Sequence, residues 1–238
     1  MKKNVAVASP IAPAPAAADP AKKKIFLADD HPITRQGIAV LINQEPDLMV
    51  CGEAASAAGA LDLIQKLKPD LAIIDISLKA SSGLELIKNL KALLADLSIL
   101  VMSMHDETLY AERALRAGAM GYVMKQDASA KVLTAIRTVL KGDFFISDQI
   151  KTRMLQQTIG HRRPELAASP VESLSDREME VFQLIGNGFS TREIATRLNL
   201  SVKTIDSYRE HLKLKLQLTS GADLVRYAIQ WVKSEAIS

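Results

Sequence analysis

The chain has 238 residues, 48% of them hydrophobic and 24% charged, with a formal net charge of +3. These proportions are ordinary for a globular protein, and the small charge excludes a histone-like polycation or an acidic solvating tail. A single cysteine, Cys51, excludes an intramolecular disulfide and a cysteine-based zinc cluster, and no apolar run reaches the ~18 residues needed to cross a bilayer.

Residues 1–23 place Pro10, Pro13, Pro15 and Pro20 among alanines and read as a disordered tail rather than a signal peptide, so a cytoplasmic location is expected. From Lys24, strand-length apolar runs (25–28, 48–51, 71–74, 99–102, 121–124) alternate with helix-spaced segments (32–43, 57–67, 84–94, 110–117, 130–140). That alternation predicts βαβ units and an α/β fold, a (βα)5 doubly wound parallel sheet over 24–145. Cys51, inside the run Leu48–Cys51, is expected to be a buried free thiol. Residues 146–170, rich in Lys, Arg and Gln, read as a helix and an interdomain linker.

The remainder, 171–238, reads as a second, smaller all-α domain. Ser175 and Glu178 form one capping box, Ser190 and Glu193 another, and Ser201 caps a further helix. Leu174 with Met179, and Phe189 with Ile194, sit at staple positions, and Gly186 and Gly188 end the first helix. A short helix (191–198), a three-residue turn and a longer helix (202–216) make a helix-turn-helix. A last helix, about 221–234, carries Leu224, Val225, Ala228, Ile229 and Trp231, either as core or as an interface.

In open α/β sheets ligands bind beyond the carboxyl ends of the strands. There the chain places Asp29 and Asp30 after the first strand, Asp75 after the third, Ser103 after the fourth and Lys125 after the fifth. Three clustered carboxylates repel one another, and a hard divalent cation such as magnesium relieves that repulsion. With Lys125 and Ser103 the set suits a phosphoryl group carried on a carboxylate.

The segments Leu27-Ala28-Asp29-Asp30-His31-Pro32, Ile73-Ile74-Asp75-Ile76-Ser77, Val101-Met102-Ser103 and Gly121-Tyr122-Val123-Met124-Lys125 resemble the receiver domain of two-component response regulators. The resemblance implies Asp75 as phospho-acceptor and Asp29, Asp30, Asp75 and the Ser77 backbone carbonyl as the Mg2+ set. It also implies Lys125 as the phosphoryl partner, with Ser103 swinging toward the phosphoryl group and Tyr122 following inward. Many receivers carry proline four residues after the acceptor, whereas this chain has Lys79. That puts the rigidity of the loop and the phosphoryl lifetime in question but removes no ligand.

Residues 174–218 resemble the DNA-binding domain of LuxR-type regulators, which together with the receiver gives the NarL/FixJ architecture. On the longer helix Val202, Ile205, Tyr208, Leu212 and Leu216 share one face and should pack on the core. Lys203, Ser207, Glu210 and Leu214 lie opposite, flanked by Thr204 and His211, and that face would enter the major groove. Lys203 and Thr204 suit phosphate contacts, whereas Asp206, Ser207 and Glu210 suit base reading, since a carboxylate can accept from cytosine N4. The two acids fit equally well as partners of Lys203, Arg209 or Lys213, and Arg192 and Arg197 as phosphate contacts or a solvated face.

The function expected is a transcriptional response regulator, not an enzyme. Its partners would be a sensor histidine kinase, double-stranded promoter DNA, RNA polymerase and a second copy of itself when phosphorylated, with no membrane involved. Two alternatives stand beside it: a phosphorylation-independent DNA binder with a vestigial receiver, and an aspartyl-phosphate hydrolase. A hydrolase needs an acid two residues after its nucleophile, and Ser77 occupies that position. Residues 24–145 carry a net −2 and residues 190–216 a net +3, so the overall charge hides an acidic domain and a mildly basic helix-turn-helix. So small a basic excess predicts weak DNA binding by one copy and a need for pairing.

Overall fold

The computed structural model describes residues 22–78, 81–158 and 170–235. The expectations for residues 1–21, for Lys79 and for linker residues 159–169 lie outside the described residues. The first part of the chain runs β1 (Lys23–Ala28), α1 (Pro32–Asn43), β2 (Leu48–Ala54), α2 (Ala57–Leu67), β3 (Leu71–Ile74), a small hairpin of β4 (Ser77–Leu78) and β5 (Ser81–Ser82), then α3 (Gly83–Leu93). It continues with β6 (Ser98–Ser103), α4 (Glu107–Ala117), β7 (Gly121–Met124), α5 (Ala128–Leu140) and α6 (Asp148–Thr158). A helical domain follows, with α7 (Asp176–Gly186), α8 (Thr191–Leu198), α9 (Val202–Lys215) and α10 (Gly221–Glu235).

The five main strands form one parallel sheet in the order β2-β1-β3-β6-β7. Both faces are covered, which explains why the strands read as near-continuous apolar runs. Phe26, Ala28, Ala72, Ile74, Ile99 and Val101 pack on one face against α2, α3 and α4. Ile25, Leu27, Leu71, Ile73, Leu100 and Met102 pack on the other against α1 and α5. Each fully buried Ile, Leu or Phe contributes about 1.5–3 kcal/mol, so the sheet holds its carboxyl edge firmly. At the outer side of β7, Phe145 bridges Gly121: its N–H donates to Met120 O, and its carbonyl accepts from Tyr122 N–H.

β1 and β2 each depart from the sequence reading. β1 begins at Lys23, which pairs with Leu48 and places Nζ 2.8 Å from Asp70 Oδ1, so this residue belongs to the sheet and not to the tail. Cys51 is half-buried, not buried. The register runs Ile25 to Val50 and then Phe26 to Gly52, so Cys51 is the extra residue of a bulge on an edge strand, packed against the rim of the core and only partly covered.

In the helical domain both capping boxes form and Ser201 caps α9 by accepting from Thr204 N–H. Asn199 makes the turn between α8 and α9 in the left-handed region, at φ 52°. Leu224 and Ala228 of α10 are fully buried, and Trp231 and Tyr227 tilt against Phe182 of α7, so the apolar face of α10 is core. The face predicted for α9 is buried at Ile205, Leu212 and Leu216 and partly at Tyr208. Val202 is 43% exposed instead, because the first residue of the helix projects past the edge of the core. The two domains touch through ion pairs: Asp176 of α7 lies 2.7 Å from Lys88 Nζ and 3.1 Å from an Arg113 nitrogen, and Glu172 pairs with Arg153 of α6.

Candidate functional site

The apolar strands stop at the carboxyl edge, and the next residues carry charge. Asp29 and Asp75 are almost fully buried there, and Asp30 is partly so. Asp29 Oδ1 accepts from His31 N–H at 2.7 Å, which fixes the turn into α1, and Pro32 starts that helix. Asp75 Oδ1 accepts from Ser77 N–H at 3.1 Å. Gly83 lies against the Asp75 backbone so closely that a Cβ there would sit 2.1 Å from the Asp75 carbonyl oxygen. Only glycine allows the hairpin after Asp75 to fold back this tightly.

Lys125 reaches into the cluster, 2.6 Å from Asp75 Oδ2 and 2.8 Å from Asp29 Oδ2. Burial pushes the Asp75 carboxyl above the usual carboxylate range, and the Lys125 charge and hydrogen bond reduce that push without cancelling it. Burial alone would lower Lys125. The Asp75 charge and the hydrogen bonds to Asp29 and Asp75 outweigh it, so the ammonium is held more firmly than usual.

Asp29, Asp30 and Asp75, joined by His31, bring ligand atoms within 4.8 Å of one another. Asp29 Oδ2 and Asp30 Oδ1 are buried from solvent, each with a nitrogen at ion-pair distance, Lys125 Nζ for the first and His31 Nδ1 for the second. Buried, clustered carboxylate oxygens are what a hard, oxygen-seeking cation satisfies. From the sequence alone His31 has no role at this site. His31 stands beside Asp30 in the chain, and its Nδ1 is 2.8 Å from Asp30 Oδ1; adjacency to the strand-end acids was the signal available.

Ser103 is fully buried at the end of β6, and its Oγ accepts from His105 N–H at 3.2 Å. Tyr122 is 2% exposed and its hydroxyl donates to the His105 carbonyl at 2.8 Å, so the ring already lies inward. Burial raises the Tyr122 phenol well above its ordinary range and, with the Lys125 charge, lowers the His105 imidazole to about 4. His105 is therefore neutral at pH 7 and is a second residue that sequence reasoning missed.

The helix-turn-helix presents a different surface. Lys203, Asp206, Ser207, Glu210 and His211 of α9 are all exposed, as is Arg192 of α8. Thr204 is half-buried, and its hydroxyl lies 2.7 Å from Ser201 Oγ at the cap. Glu210 pairs with Lys213 at 2.9 Å, and Arg197 lies over the Phe189 ring at 4.0 Å.

Comparison with known proteins matches both parts. Residues 25–137 match the response regulator receiver domain, and residues 172–228 match the bacterial regulatory proteins of the luxR family. The oxygen regulatory protein NreC of Staphylococcus haemolyticus is 33% identical over 210 residues, covering 87% of this chain and 97% of that protein. A solved structure of RcsB from Salmonella enterica serovar Typhimurium, bound to a promoter in the presence of the phosphomimetic BeF3−, aligns at 29% identity and TM-score 0.64 over 87% of this chain and 98% of that one. A LuxR-family two-component response regulator from Aurantimonas aligns at 32% identity and TM-score 0.54, over 58% of this chain and 99% of that one.

Proposed function

Because the chain belongs to the response regulators that join a receiver domain to a LuxR-type DNA-binding domain, we propose that phosphoryl transfer to Asp75 switches its hold on promoter DNA. It is a DNA-binding transcriptional regulator of the two-component class. The observation that carries the acceptor assignment is the burial of Asp75 against Lys125, with one oxygen held by Ser77 N–H. We take 23–145 as the receiver, 146–170 as helix and linker, and 171–238 as the DNA-binding domain.

In the step proposed, an Asp75 carboxylate oxygen attacks the phosphorus of a phosphohistidine on a sensor kinase. The new O–P bond forms as the P–N bond breaks, and the imidazole leaves with the electron pair. Lys125 offsets charge on the phosphoryl oxygens, and Ser103 Oγ–H donates to one of them. Asp29, Asp30, Asp75 and the Ser77 carbonyl would hold Mg2+, which when bound neutralises charge on the acids and the phosphoryl group. Asp29 also fixes Lys125 in place through their ion pair.

On the DNA side, α9 enters the major groove, with Lys203 and Thr204 toward phosphates, Asp206 and Ser207 toward base edges, and His211 beside them. Arg192 adds a phosphate contact from α8. The Glu210–Lys213 pair favours a flanking role for that acid over base reading. A phosphorylated homodimer reads two half-sites, and RNA polymerase is a further candidate partner. No helix among the described residues is long and apolar enough to cross a membrane, and we place the protein in the cytoplasm.

The test is magnesium-dependent labelling by a small phosphodonor, followed by promoter binding. Asp75→Asn should take up no label and lose phosphodonor-stimulated binding. Stimulation that survives the substitution would sink the mechanism.

A further inference from the structure

His105 lies on the loop between β6 and α4, and both its backbone and its ring are engaged. Its N–H donates to Ser103 Oγ at 3.2 Å and its carbonyl accepts from Tyr122 O–H at 2.8 Å. Ring Nε2 is 2.9 Å from Ser77 Oγ, two residues beyond Asp75. Ring Nδ1 is 3.4 Å from the side-chain amide nitrogen of Gln183, on α7 of the other domain. That amide nitrogen is a donor, so Nδ1 accepts from it and Nε2–H donates to Ser77. The ring stacks on Tyr110, with centroids 4.7 Å apart, which fixes its plane. It borders a cavity of about 360 Å3 walled by Asp30 and Ser77 on the receiver side and by Glu180 and Leu184 on the other.

We infer that His105 is the positioning residue that ties the acceptor site to the DNA-binding domain: its ring latches Gln183, and recruitment of Ser103 to phosphorylated Asp75 releases that latch. The inference rests on the acceptor reading of Asp75. Ser103 Oγ cannot move toward a phosphoryl group without withdrawing from the His105 N–H, and the loop then follows or loses its bond. Ser77, the ring's other partner, follows Asp75 by two residues, so the backbone anchor of His105 (Ser103) and its ring anchor (Ser77) both sit where the charge changes. The DNA-facing side of α9 stays exposed in the latched arrangement, so the latch governs where the helical domain is held rather than masking its reading surface.

The experiment compares the full chain with His105→Ala, Gln183→Ala and the double variant. The DNA is an operator selected by the wild-type chain from a random duplex pool, and affinity is measured with and without beryllofluoride and Mg2+. One net hydrogen bond implies that each single variant binds about fivefold tighter than wild type in the resting state. Beryllofluoride-bound affinity should be unchanged, and the double variant should gain nothing further, since both substitutions break one contact. Resting affinities equal to wild type, or effects that add in the double variant, overturn the latch. If His105→Ala does not fold, Gln183→Ala decides alone, because its side chain lies outside the receiver. A wild-type chain indifferent to beryllofluoride overturns the acceptor reading instead, while the resting-state comparison still judges the latch.

Discussion

The sheet edge and the recognition helix hold similar residue types under opposite conditions. At the edge Lys125, Asp29 and Asp75 have side chains 4%, 3% and 1% exposed and are held by one another. On α9, Lys203 and Asp206 stand in solvent, and Glu210 is 66% exposed with its partner on its own helix. Buried charges must be satisfied inside the fold, so their roles can be read from the protein alone. Exposed ones are satisfied by water, so the protein alone assigns them no role.

The largest effect that sharpens this contrast is Asp75→Asn, which should abolish phosphodonor labelling while leaving the unstimulated DNA binding of α9 near wild type. Next comes Lys125→Met, which leaves two buried carboxylates without their cation and should cost about 3 kcal/mol in urea unfolding. Lys203→Met on α9 is the counterpart: its stability should stay within about 0.5 kcal/mol, and its salt slope for DNA binding should fall by about 1. If the two lysine substitutions cost the same stability, the contrast fails. Gly83→Ala should cost about 1–3 kcal/mol through overpacking against the Asp75 carbonyl, and labelling should slow with it.

A smaller effect is expected at Glu178, whose carboxylate closes a capping box and pairs with Lys215. Burial would raise its pKa, but the Lys215 hydrogen bond and those from Ser175 win and hold it below its ordinary value. Its contribution is therefore complete above the unfolded value and lost as the pH falls through the lower folded one. Glu178→Gln should cost about 1 kcal/mol at neutral pH and flatten that acid limb of the stability profile. The smallest expected change is Glu210→Ala: about 0.3 kcal/mol in stability, with slightly stronger binding to unrelated duplexes.

Much of this was legible beforehand, and for identifiable reasons. Strands buried on both faces leave long apolar runs, and the residue that ends each run must sit at the sheet edge, which is how Asp29, Asp75, Ser103 and Lys125 were found. The helix starts at Ser175, Ser190 and Ser201 were legible because a cap is a local interaction spanning three residues. What depends on three-dimensional neighbours was not. Cys51 lies in an apolar run, but its strand is the edge of the sheet and leaves it only partly covered. Val202 obeyed the helical wheel but sat at the end where the core stops. His31 and His105 gain their meaning from atoms across the sheet edge and, for His105, across a domain boundary. Asp176, in the first turn of α7, meets Lys88 and Arg113 from the other domain, which no local pattern announces.

The bridge from Phe145 to β7 bears on assembly. An outermost strand with free amides and carbonyls invites another chain to continue the sheet. Here Phe145 already occupies the Tyr122 N–H and the Met120 carbonyl, so that border is blunted by the protein's own backbone. At that border a second copy finds no free Tyr122 N–H or Met120 carbonyl to pair with, which leaves the opposite edge strand, β2, and the helical faces.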